Sequence, residues 1–302
     1  MCMRSSSGGL RLHCIASAER WTRSRTRDRV PAMLAGNPPD APPTPATVTG
    51  RDRVSLVTYV ALLLITAAAW IHILWSDMQA DDMAGMSMPL APTIAEGALY
   101  VAGWTVMMAA MMLPSAAPMI ALYAATQRTA GSAVGRLGRV ALFALTYLSL
   151  WAVTGVPTYL ASVVLGAITA QALAYIVAGL LVAAGLFQLS PLKRMCLRGC
   201  RSPVGFLLGR WRSGWRGGLA MGWAHAAHCL GCCWALMAVL VVAGAMGLPW
   251  VLLIGLAVAA EKLLPRGEWI ARAIGVALVL LGAAVAVRPD LAVALRGGGS
   301  SM

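Results

Sequence analysis

Apolar residues in this chain do not alternate with polar ones; they run together in long blocks. Seven blocks stand out: Val54–Trp75, Ala98–Ala124, Val140–Ile168, Ala172–Leu189, Gly218–Met246, Pro249–Ala260 and Trp269–Val287. A helix needs about 20 apolar residues to cross hydrocarbon. Five blocks reach or nearly reach that length, Ala172–Leu189 is slightly short, and Pro249–Ala260 is clearly short. The flank of the short block, Glu261-Lys262, must snorkel or lie in protein. The pattern predicts an all-α, polytopic transmembrane helix bundle of about seven spans. Six is the alternative count if the short block is a half-span.

The composition agrees. Of 302 residues, 59% are hydrophobic and 12% charged, with a mean hydropathy of +0.74. No soluble domain of this size needs so much apolar material. Residues 1–53 are different: rich in Arg, Ser, Pro and Thr, without an apolar core, and read as a disordered basic tail. Translation from an internal start such as Met33 is an alternative. The first span and an acidic outer loop then occupy 54–97, a membrane domain 98–288, and a C-terminal tail 289–302.

Charge sets orientation. The loop after the first span carries Asp77, Asp81, Asp82 and Glu96 and no Lys or Arg. The loop following the fourth carries Lys193, Arg194, Arg198, Arg201, Arg210, Arg212 and Arg216 and no acid. By the positive-inside rule the basic loops and the N-terminus are cytoplasmic. A bacterial inner membrane is the expected home. The net charge of +13 is better explained by lipid head groups and topology than by nucleic acid, so no nucleic-acid partner is expected.

Candidate chemistry is concentrated in "HAAHCLGCCW" of the fifth span. At about 100° per residue, Met221, His225, His228, Cys229 and Cys232 share an arc of roughly 100°, with Cys233 just beyond it. Cys232 falls close to mid-bilayer. Thiolates and imidazoles select soft metals, Cu(I) or Zn(II) among them, and polar clusters in lipid are functional by default. The bland reading is that cysteine is a small, well-packing hydrophobe. Three cysteines in five residues with two histidines a turn away favour ligands. One helix rarely supplies a whole shell. The second span offers Met107, Met108, Met111 and Met112 on one side at similar depth, above Pro114 and Pro118, which should kink it. Met119 continues the stripe. Alone, that stripe reads as packing; beside a Cys/His cluster it reads as thioether ligands.

Two outlying groups complete the picture. Met78, Met83, Met86 and Met88 lie among carboxylates in the outer loop and could collect copper, or form a plain acidic loop. Cys196 and Cys200 form C-x3-C in the most basic loop, where neighbouring cations favour thiolates suited to metal hand-off or redox sensing. Glu261-Lys262 reads either as an ion pair tuning this mouth or as an ordinary interfacial pair.

The stretches "MMAAMMLPSAAPM", "FQLSPLKRMCLRGCRSP", "HCLGCCWALM" and "AEKLLPRG", in this order, resemble a bacterial family of predicted metal-binding integral membrane proteins. Its domain is formally of unknown function, and some members are labelled copper chaperones. The likeness runs from about Trp104 to Val287. It implies metal handling in the membrane, with Met107, Met108, Met111, Met112, Pro114, Gln188, Pro191, Lys193, Cys196, Cys200, Cys229, Cys232, Cys233, Glu261 and Lys262 as motif positions. His225 and His228 carry over more loosely, and the outer Met loop lies outside it.

The expected function is therefore binding of Cu(I), with zinc as the alternative ion, between the second and fifth spans. Transfer would run across or within the membrane, with a soluble metal donor or acceptor as partner. No GxxxxGK[ST] motif supplies nucleotide-driven transport, and no catalytic residues are proposed. Two rivals remain: a membrane thiol–disulfide oxidoreductase using Cys229 and Cys232 with a quinone, and a structural subunit of a membrane complex whose sulfurs only pack.

Overall fold

A computed structural model describes residues 53–82, 93–127, 132–212, 214–242 and 247–295. These residues form ten helices and no strand: α1 Arg53–Asp82, α2 Ile94–Thr126, α3 Ala133–Ala167, α4 Ala170–Leu189, α5 Pro191–Arg201, α6 Pro203–Arg210, α7 Gly214–Val242, α8 Leu248–Leu263, α9 Gly267–Val287 and α10 Asp290–Leu295. Six of them (α1, α2, α3, α4, α7 and α9) are long and apolar enough to cross a membrane.

Short polar signals start these helices. Thr93 and Glu96 form a reciprocal capping box at α2, each side chain accepting the other's backbone N–H. Ser132, Thr169 and Ser190 cap α3, α4 and α5 in the same way, by accepting the N–H three residues on. At Ser190 the following proline sits at the first helical position, where its missing N–H is harmless. The chain therefore turns sharply between α4 and α5 without an irregular loop. α2 stays helical through Pro114 and Pro118.

α8 has only 16 residues, yet it carries the chain back through the bundle. Near its start, the Trp250 indole N–H donates to the Leu295 carbonyl of α10, 2.8 Å away. Near its end, Glu261 meets Lys193 of α5 and Gln188 at the close of α4. Those partners lie at opposite ends of α4 and α9. The short helix thus runs from one end of the α4–α9 pair toward the other, and its charged end lies in protein rather than snorkelling.

α2, α3, α7 and α8 form a ring: α2 packs on α3, α3 on α7, α7 on α8 and α8 on α2. α2 and α7 thus face each other across a diagonal. Glycines allow the tight edge between α3 and α7. A Cβ at Gly222 would lie 2.6 Å from the Phe143 carbonyl oxygen, and one at Gly218 would lie 3.0 Å from that of Arg139. Small residues four apart let backbones meet where lipid provides no hydrophobic drive for association. On the α2–α3 edge, the buried Trp104 indole donates to the Trp151 carbonyl at 3.2 Å and to Thr154 Oγ1 at 3.1 Å. α4 and α9 pack as a second close pair beside the ring, and α1 lies against α2 with many of its apolar side chains exposed.

Candidate metal centre

Sulfur collects inside the bundle. Met107, Met108, Met111 and Met112 of α2 are all buried, as are Cys229, Cys232 and Cys233 of α7. Cys229 lies midway along the 29-residue α7. The methionine side of α2 is buried. The two helices do not pack backbone to backbone, however; α3 and α8 flank both, and side chains from each reach the space between them.

Lys262 comes from α8. Its Nζ donates to Cys229 Sγ at 3.0 Å and to Ser115 Oγ at 3.3 Å, and lies 3.9 Å from Met112 Sδ. Tyr147 comes from α3, with its hydroxyl 3.0 Å from Cys229 Sγ. Met111 lies against α8 at Gly255, where a Cβ would stand 3.5 Å from Met111 Cγ. Tyr147 escaped the sequence reading of the site, and Lys262 entered it only as a motif position and half of a possible ion pair, not as a partner of Cys229. The lysine carried a signal, since an ionisable residue ending an apolar block marks function; the tyrosine carried none.

Cys232 turns elsewhere. Cys232 Sγ is 3.3 Å from Cys233 Sγ and 3.7 Å from Cys200 Sγ, and it donates to the Cys229 carbonyl at 3.2 Å. Cys200 and Cys196 belong to α5, a helix where a basic loop was expected. It lies along α7 through glycines: Cys196 Sγ would stand 3.2 Å from a Cβ at Gly231, and the His228 ring 2.8 Å from one at Gly199. Cys196 and Cys200 are partly exposed, so sulfur runs from a surface helix to the centre of the ring.

The expected cationic setting of the C-x3-C pair needs correction. Lys193 is fully buried, donating from Nζ to the Cys232 carbonyl at 2.5 Å and to Glu261 Oε2 at 2.6 Å. The Gln188 amide donates to the other Glu261 oxygen at 2.6 Å. Arg198 pairs with Glu268, and Arg201 donates to the Leu264 and Pro265 carbonyls. Glu261 and Lys262 accordingly do not form a pair with each other. Glu261 belongs to Lys193, and Lys262 points to sulfur.

The histidines differ. His225 is buried among the rings of Phe143, Tyr147 and Phe206, and its Nδ1 has no hydrogen-bond partner. His228 turns Nδ1 to the Ala224 carbonyl of the preceding turn at 2.8 Å and packs on Phe206. Among the described residues, no three His, Cys, Asp or Glu side chains form a ready-made metal cage. The first donors to an ion at the centre would be thiols and thioethers together. Of the outer methionines, Met78 is exposed at the far end of α1, and Met83, Met86 and Met88 lie outside the described residues.

Fold and site together define an all-helical bundle with six membrane-length helices, built around a buried sulfur cluster. Residues 101–285 match the family described as PpoB2, copper chaperone, and the chain belongs to that family. No curated protein and no solved structure matches the chain.

Proposed function

We propose that the protein binds Cu(I) at the centre of the ring and passes it between there and the basic end of the bundle. One observation carries this reading: a thiol of α7 and a thioether of α2 meet at one buried point, Cys229 and Met112 both reaching Lys262 Nζ. Thioether and thiolate donors suit Cu(I) above other common biological ions. Zinc would want a closed tetrahedral set of four, which is harder to assemble from these residues.

The path for the ion is the run of sulfurs. Cys196 and Cys200 take it or release it at the surface, and Cys232, 3.7 Å from Cys200, links them to Cys233, with Cys229 a turn earlier on the same helix. Neighbouring thiolates allow an ion to move by ligand exchange without ever being bare in a medium that cannot solvate it. A cleft of about 520 Å³ lined by Arg198, Arg201, Arg266, Glu268 and Trp269 opens at the same end. Its basic rim suits an acidic soluble donor or acceptor. The setting we propose is a bacterial inner membrane, with the basic end and α1's start cytoplasmic, as loop charge requires. In that frame the exposed Met78 lies toward the outer face and could gather ions.

Elemental analysis of detergent-purified protein under reducing conditions tests the proposal. Wild type should retain copper, and Cys229→Ser, Cys232→Ser and Cys233→Ser should each lose most of it. Equal metal in all four proteins removes the proposal. The oxidoreductase reading draws on the Cys200–Cys232 approach rather than on Cys229 and Cys232, because Cys229 turns to Lys262 and Tyr147. Trapping a mixed disulfide between Cys200 and a soluble protein would favour it.

A further inference from the structure

We infer that Lys262 is the fixed counter-ion of the loaded centre: its ammonium neutralises a Cu(I) ion held by two thiolates, and this charge sets a preference for a monovalent ion. The inference rests on reading the cluster as a copper site.

The starting point is that this cation has sulfur for company. Lys262 is only 9% exposed. Its Nζ contacts Cys229 Sγ, Ser115 Oγ and Met112 Sδ. The adjacent carboxylate, Glu261, directs its two oxygens to Lys193 and Gln188. A buried ammonium is stable only beside a compensating charge, and the atom placed to supply it is the Cys229 sulfur. The lysine is also held in place. The residue before it in α8 is anchored by the Lys193–Glu261 pair, and Lys193 in turn bonds the backbone of Cys232. The ammonium and the cysteine turn are thus tied to one framework.

Loading can then be followed charge by charge. Cys229 binds as the thiolate already paired with Lys262, and a second thiol, Cys233, releases its one proton to solvent as it binds the ion. Two thiolates and one Cu(I) sum to one negative charge, and Lys262 brings the total to zero. A divalent ion on the same two thiolates leaves one positive charge in a site sealed from water. It reaches neutrality only by recruiting a third thiolate, and the nearest, Cys232, is engaged with Cys200 and the Cys229 carbonyl. Without the lysine the preference reverses: two thiolates and a divalent ion are neutral, and the Cu(I) complex carries an uncompensated charge.

The test is competition against a Cu(I) chelator and, separately, a Zn(II) chelator, using detergent-purified wild type, Lys262→Arg, Lys262→Gln and Lys262→Met. Removing one partner of a buried charge pair should weaken Cu(I) binding by about a hundredfold in the Gln and Met variants. Lys262→Arg keeps the charge and should stay within about tenfold of wild type. In the Gln and Met variants the ratio of Zn(II) to Cu(I) affinity should rise, which a merely misfolded site would not produce. Cu(I) binding by Lys262→Gln as tight as wild type, or tighter, overturns the inference alone. So does a folded Lys262→Arg that binds no better than Lys262→Gln. A wild type that binds no Cu(I) removes the copper reading beneath it.

Discussion

Lys193 shows how a charge can lie inside this bundle without opening it. Its ammonium is fully buried, yet it meets Glu261 Oε2 at 2.6 Å and the Cys232 carbonyl at 2.5 Å, while Gln188 satisfies the other carboxylate oxygen. Such a pair adds little against an apolar alternative, but breaking it leaves a bare buried charge. Lys193→Met should therefore destabilise the protein by about 3 kcal/mol or more, read from denaturant unfolding in detergent. Lys193→Met/Glu261→Met should recover much of that loss. A double variant no more stable than the single one would mean the pair is not the coupled unit described. The sequence set Lys193 among surface cations beside Cys196 because a basic run looks solvated. Only the fold of α5 onto α7 reveals that its third residue points inward.

At the level of elements, periodicity speaks of faces and not of neighbours. The arc of His225, Cys229 and Cys232 and the stripe from Met107 to Met112 are properties of a single helix, readable from spacing alone. Which helices stand between them is a tertiary fact. The site draws Lys262 from α8 and Tyr147 from α3, and neither could be placed from local pattern. His228 shares the face by angle, but its ring is taken up by Ala224, Phe206 and Gly199. α5 was read as loop because its composition is polar, though Ser190-Pro191 is a helix-start signal. The α3–α7 edge offers a test. Gly222→Val places a branched side chain where even a Cβ meets the Phe143 carbonyl at 2.6 Å. The helices must part, moving Tyr147 away from Cys229. We expect lower thermal stability and at least tenfold weaker copper retention, the latter an order-of-magnitude figure from misplacing a ligand-positioning group. Unchanged retention would show that the site does not depend on this contact.

For the whole molecule, the blocks of apolar residues made the helical class and nearly all the helix positions legible, since each long block corresponds to a long helix. The uncertain count arose from one segment. α8 is too short to pass as a span by length, yet its ends bond to residues at opposite ends of the bundle. Its charged end can lie deep because Lys193, Gln188 and sulfur receive it, so lipid need not be reached. If α8 counts as a seventh passage, the start of α1 and the end of α9 fall on opposite sides. Single cysteines on a background lacking native ones, placed at Arg210 and at Arg288, should be labelled by an impermeant maleimide from opposite faces of inverted vesicles. Labelling from the same face would restore the six-span topology.

The most direct test is X-ray absorption at the copper edge, on protein loaded with Cu(I) under reducing conditions. A first shell of sulfur alone, diminished in Cys229→Ser, is the predicted result. A shell of nitrogen and oxygen, or a sulfur shell that persists unchanged when Cys229 is replaced, would contradict a copper centre at the axis of the ring.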